Sequence, residues 1–213
     1  MIYRPTVLCS LALLTCLGLP FSSKASGIIP SPVGSNTEYH FEIGLTYASG
    51  VENVVDQMKT NFGFDRDYTV PVGLKLTAYA KRADGIGFGG GIGPSEFFQV
   101  KDNNHYYHHN DDSTSSYIIP MFVDMRYYLP TNASFAPYVR AGVSCPLAGG
   151  DYIDSGSPGA VVAIGAHVWE HRIVAIGVEL GYDDSKVKVK DGNLHLAEKV
   201  RPTEFTFSVF AAF

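Results

Sequence analysis

A chain of 213 residues and 23.1 kDa holds one domain with a full core and is too short for two of ordinary size. With 13 Tyr, 13 Phe and 22 Gly and few strong helix formers, its composition favours strands and tight turns over a helical bundle. A net charge of −5 argues against nucleic acid as a partner.

The N-terminus reads as an export signal. Arg4 supplies positive charge, residues 7–19 form an apolar run, and Ser23-Lys24-Ala25 offers small residues around a cleavage point after Ala25. That run is shorter than the roughly 20 residues a spanning helix needs, and no later segment reaches that length without charge or glycine. Leu13-Leu14-Thr15-Cys16 resembles a bacterial lipoprotein signal, but Thr before the Cys is atypical and the Ser-Lys-Ala site competes. Cleavage removes Cys9 and Cys16 and leaves Cys145 alone, so an intramolecular disulfide is not expected. The mature chain then carries 14 basic and 21 acidic residues.

Residues 26–38 are rich in Pro, Ser and Gly without periodicity and read as an extended leader ahead of one domain over 39–213. From Tyr39 the dominant signal has period two: Tyr39, Phe41, Ile43, Leu45 and Tyr47 alternate with polar or small residues, which predicts a first strand over 39–48. The same alternation predicts strands over 68–80, 86–100, 117–128, 135–147, 160–169, 173–183 and 204–213. Links after the second, fourth and sixth are short, and those after the first, third, fifth and seventh are longer. This matches a transmembrane barrel with short periplasmic turns, longer extracellular loops and both ends periplasmic.

In a soluble barrel the apolar face would point inward; here the alternate face consists of small and charged residues suited to a narrow interior. Gly44, Gly73, Gly142, Gly165, Gly177 and Gly181 lie on it and leave room for Tyr79, Arg126 and Arg140. Tyr47, Tyr68, Tyr117, Tyr182 and Phe205 gather near one end of the apolar face, and Tyr39, Tyr127, Phe135 and Phe213 near the other, as two aromatic girdles would. The expected fold is all-β: an eight-stranded antiparallel up-and-down transmembrane barrel. On this pattern Val178→Arg is expected to be far more costly than Gly177→Ser.

Residues 136–143, 174–183 and 205–213, together with eight alternating segments and an aromatic last residue, make the chain resemble the small bacterial outer-membrane β-barrels of the OmpA, OmpX and Opa type. The resemblance covers roughly 39–213. It implies a place in the outer membrane of a Gram-negative bacterium, contact with outer-membrane lipids and lipopolysaccharide, and recognition by the outer-membrane assembly machinery. The terminal pattern Phe205, Phe207, Val209 and Phe213 resembles the signal which that machinery reads, although Phe210 and Ala211 depart from its most regular form.

Several motifs invite chemistry. Residues 85–90 match G-x-G-x-x-G, but no helix follows, so a glycine-rich strand is expected and no cofactor. His105, His108 and His109, with Asp111 and Asp112, sit in the second outer loop and are ligand types for zinc, copper or nickel, but a solvated polar loop accounts for them as well and no metal site is assigned. Val51, Val54, Val55 and Met58 have helical spacing in the first outer loop, where a marginal helix or none is expected because so few residues seldom hold one unaided. Glu42, Lys75, Asp124, Arg126, Arg140, Glu179 and Glu204 all fall on the lumen face and are expected to pair with one another, because unpaired burial is costly. Lining a narrow water path is their alternative role.

An enzyme acting on lipid A would need Ser, His and an acidic residue within hydrogen-bonding reach. The strands carry no His-x-Ser pair, and His167 falls near the predicted periplasmic end, away from the outer leaflet. The sequence therefore favours a non-enzymatic barrel whose loops serve adhesion, protection or envelope integrity through a host or surface ligand, ahead of a lipid A-modifying enzyme or a small pore.

Overall fold

The computed structural model describes residues 37–62, 71–100, 114–130, 135–168, 174–190 and 198–213. Along the chain these form β1 (Thr37–Ala48), α1 (Gly50–Phe62), β2 (Val72–Arg82), β3 (Ile86–Ile92), β4 (Glu96–Val100), β5 (Thr114–Tyr128) and β6 (Phe135–Gly150). There follow β7 (Ile153–Ser157), β8 (Gly159–Val168), β9 (Ala175–Asp183), β10 (Lys186–Val189), β11 (Glu198–Val200) and β12 (Phe205–Ala212).

Eight of the strands close a barrel. Going round the wall, β1, β2, β3, β5, β6, β8, β9 and β12 each pair antiparallel with the next, and β12 returns to β1 from Glu42↔Ala212 to Ala48↔Thr206. Closure leaves the wall no long edge, which a sheet in hydrocarbon requires. Short turns gather at one end, here the turn end. Between β2 and β3 the turn is made by Gly85 at φ 83°, with the Gly85 amide donating to the Arg82 carbonyl at 3.0 Å and the Ile86 amide to Asp84 at 3.1 Å. The remaining glycines of the G-x-G-x-x-G match lie on β3.

The alternation seen in the sequence sorts the faces as expected. Leu45 is 60% exposed and Ile164 61% exposed on the outside, whereas Glu42, Arg126, Tyr138 and Glu179 are buried inside. Outward Tyr47, Tyr117 and Phe205 lie at one end of the apolar band and Tyr39, Tyr127, Phe135 and Phe213 at the other. Tyr68 lies outside the described residues, as do residues 1–36, which hold the expected signal and nearly all of the leader; β1 starts two residues earlier than the sequence predicts.

Three features differ from the sequence expectation. The third strand, expected over 86–100, is divided at Gly93-Pro94-Ser95 into β3 and β4, because Pro94 has no amide hydrogen for the ladder. The Gly93 amide still reaches the Pro120 carbonyl at 2.7 Å, but the β2–β3 ladder ends at Leu76↔Ile92, and residues 72–75 have no ladder partner on that side among the described residues. Second, the described parts of the loops after β6 and β9 carry strands of their own. β10 pairs with both β7 and β11 in a separate three-stranded sheet joining the loops after β6 and β9.

Third, α1 is a helix of 13 residues, not a marginal turn. Its apolar stripe supplies the reason: Val54 and Met58 pack with Ile118, Tyr152, Ile153, Val187 and Val189 into a buried cluster, so tertiary contact stabilises what the segment alone would not. Helix, three-stranded sheet and the rim of β5 form a cap with its own small core.

Candidate functional site

The barrel interior is organised around three cations and three carboxylates. Arg126, wholly buried, lies against Glu42 through two contacts, Nη1 to Oε1 at 2.5 Å and Nη2 to Oε2 at 2.8 Å, a forked geometry that a lysine could not make. Lys75 Nζ donates to Glu179 Oε1 at 2.6 Å. Arg140 stands 3.3 Å from Glu179 and 3.5 Å from Asp124. Hydroxyl donors complete the set: Thr77 to Glu42 at 2.5 Å, Tyr79 to Asp124 at 3.0 Å and Tyr138 to Glu179 at 2.8 Å. Isolated, any of these charges would be costly to bury; arranged together they sum to zero formal charge.

Aromatic rings fill the space between them. The Arg126 guanidinium lies 3.5 Å from the Tyr79 ring centre and 4.5 Å from that of Tyr138, and Arg140 lies 4.6 Å from that of Phe122. His167 sits toward the turn end, with Nε2 3.0 Å from Glu42 Oε1 and its ring 5.4 Å from Tyr138, 5.7 Å from Tyr128 and 5.5 Å from Phe210.

Room for these groups comes from register. Tyr79 stands opposite Gly89, Phe122 opposite Gly91, Tyr138 opposite Gly165, and Phe210 between Gly44 and Gly177. A Cβ at Gly177 would lie 2.1 Å from the Phe210 ring, and one at Gly165 would lie 2.5 Å from that of Tyr138. Gly177→Ser is therefore not the mild change the alternation implies. A wall position that looks permissive already contains a ring from the next strand.

Of the seven lumen residues expected from sequence, the structure brings Glu42, Lys75, Asp124, Arg126, Arg140 and Glu179 together. Glu204 is different: it precedes β12 at the rim, half-buried, with Arg201 at 4.0 Å, because the alternation of β12 starts only at Phe205. Phe205, Phe207, Val209 and Phe213 share the outward face, and Phe210 points into the lumen, 3% exposed. His105, His108 and His109 lie outside the described residues, and among the described residues no cluster of three metal-ligating side chains occurs. Sequence reasoning left Tyr138, Thr77 and Phe210 out of the polar network; their signal, a glycine on the neighbouring strand, is readable only once register is known.

Toward the cap a cavity of about 30 Å³ remains, bordered by Lys75, Arg140, Glu179 and Ser208, room for about one water. At the rim Arg201 Nε donates to Asp184 Oδ1 at 2.6 Å, and this contact holds the Asp184 carboxyl below its usual range. Between α1 and the three-stranded sheet lies an open groove of about 480 Å³.

No family model matches the chain, and no curated protein matches it by sequence. Solved structures do match. OprG, an outer membrane protein from Pseudomonas aeruginosa, is similar over 84% of this chain and 95% of its own at 14% identity, with a TM-score of 0.50. The E. coli outer membrane protein W is similar over 84% of this chain and 98% of its own at 18% identity, also with a TM-score of 0.50. Neisserial surface protein A gives 13% identity and a TM-score of 0.42 over 84% and 95%. The fold is that of small eight-stranded outer-membrane barrels.

Proposed function

We propose that this protein is an integral outer-membrane barrel that neither catalyses nor conducts, and that acts through its capped outer surface in adhesion, surface protection or envelope integrity. The observation that carries this reading is the crowded lumen: among the described residues six charges pair at short distances and aromatic rings stand between them. A water path needs continuous space, and rings and ion pairs set across the lumen speak against one. A built cap of helix and sheet is where a barrel with a filled interior presents specific shape.

Placement in the outer membrane rests on the apolar belt with its two aromatic rims and on the likeness in fold to the outer membrane proteins above. Its short turns would then face the periplasm and the cap the outside.

Single-channel recording in planar bilayers, paired with mass spectrometry of lipid A from cells with and without the protein, tests the reading. Silent bilayers and unchanged lipid A are expected. Discrete conductance steps would make it a pore, and an added or lost acyl chain would make it a lipid A enzyme.

A further inference from the structure

The open groove on the cap has one helical wall and one basic wall. Asn53, Asp56, Gln57 and Thr60 line the α1 side, Lys186 and Lys199 the sheet side, and Arg201 and Glu204 the stretch that leads into β12. Its volume of about 480 Å³ suits a ligand of one or two sugar rings rather than a single ion. Amides and hydroxyls on one side with ammonium groups on the other match a ligand that carries both hydroxyls and negative charge.

The basic wall is under-neutralised. The β10–β11 register sets Lys188 directly opposite Lys199, and Lys186 lies two residues from Lys188 on the same face of the strand. Like charges set opposite one another destabilise a sheet. The fold relieves them only in part: Asp184, 2.6 Å from Arg201, also attracts Lys186, but among the described residues no carboxylate stands within 4.0 Å of Lys186, Lys188 or Lys199. On the helical wall, Asp56 lies 3.9 Å from Lys59. Lys186, Lys199 and Arg201 against Asp56 and Glu204 leave the lining one positive charge in excess, which an anionic ligand would match.

Position selects the source. Tyr182 and Phe205, with ring centres 5.3 Å apart and tilted at 59°, stand on the outer aromatic rim, and Phe205 directly follows Glu204 of the groove lining, so the groove opens just beyond the apolar belt. In an outer leaflet that height is occupied by the phosphorylated sugars of lipopolysaccharide. Resting on the reading of the protein as an outer-membrane barrel with a working cap, we propose that this groove binds a phosphorylated sugar of the lipopolysaccharide core, with Lys186 and Lys199 on the phosphate and Asn53, Gln57 and Thr60 on sugar hydroxyls.

The test uses the full chain folded in lipopolysaccharide-free phospholipid nanodiscs and titration calorimetry. Three probes are compared: core oligosaccharide released by mild acid, the same oligosaccharide after removal of its phosphates, and inorganic phosphate. Saturable binding of the first is expected, about tenfold weaker binding of the second, and weaker binding still of phosphate. Lys186→Gln with Lys199→Gln should weaken the first by at least about tenfold while heat-modifiable migration is kept, and Arg82→Gln, at an exposed position on the turn end, should change nothing. If the double variant does not fold, the ionic-strength dependence of the wild type decides: affinity must fall as salt rises.

No binding, equal affinity for both oligosaccharides, phosphate bound as tightly as the sugar, binding kept in the folded double variant or affinity indifferent to salt would each overturn the assignment. Bilayer recording on the same preparation separates the two ideas. Silent bilayers without sugar binding reject the groove alone, and a conducting lumen rejects the closed-barrel reading whatever the calorimeter shows.

Discussion

At Gly177 the chain carries no side chain because Phe210 of the neighbouring strand occupies the place where one would be, 2.1 Å from an added Cβ. One residue later Val178 faces outward at 43% exposure. Two adjacent positions thus fail for unrelated reasons. Val178→Arg should cost about 2–4 kcal/mol by putting charge into hydrocarbon. Gly177→Ala should be at least as damaging through overpacking, and adding Phe210→Leu should recover part of the loss. Urea titration of the refolded barrel in lipid vesicles measures both, and a mild Gly177→Ala would mean that the Phe210 ring is not wedged there.

Arg126 is the other informative residue. Arg126→Met leaves Glu42 buried without its forked partner and should cost about 3–5 kcal/mol, whereas adding Glu42→Gln should restore much of it, because a neutral pair needs no counter-charge. The same titration checks this: a double variant as unstable as the single would show that Arg126 acts through packing alone. Sequence alternation was enough to read that six charges share the lumen, since side-chain direction in a strand repeats every two residues. Which charge meets which partner was not legible, because that depends on the stagger between strands far apart in sequence, as Glu42 and Arg126 are.

Among the elements, the cap is where local reading falls short. Val51, Val54 and Met58 have helical spacing, yet whether a helix forms depends on a surface to pack against, supplied by Ile153, Val187 and Val189 about a hundred residues and more away in the chain. Lys-Val-Lys-Val over residues 186–189 is itself a period-two signal, short but present, that announces β10. Met58→Lys should unravel the cap while sparing the barrel. Added protease should then cut residues 50–62, with heat-modifiable migration unchanged; an uncut loop would show that the helix stands without this core.

The link between β9 and β12 is tied by Arg201 to Asp184, whose carboxyl titrates below its usual 3.8. A lowered acid contributes stability above its unfolded value and loses it as pH falls through the folded one. Cleavage of this loop by pepsin, normalised to an unfolded substrate at each pH, should therefore rise as the pH falls below 3.8. In Asp184→Asn the loop should already be loose at pH 4, and equal protection of variant and wild type at pH 4 would remove the clip from the account.

For the whole molecule, the decisive property is that the apolar face looks outward and the charged face inward, with closure around eight strands leaving no long edge. Both were legible early, from alternation and from the strict succession of short and long links; Pro94 was itself a readable sign of the break, whereas the pairing of the second sheet was not legible because it depends on contacts outside the barrel ladder. The most direct check is photolabelling of the unmodified protein in vesicles with a diazirine carried on the lipid acyl chain, mapped residue by residue by mass spectrometry. Label is expected on Leu45, Val143, Ile164, Val178 and Leu180, and none on Glu42, Tyr138, Glu179 or Phe210. Label spread over both sets, or concentrated on the second, would contradict the account.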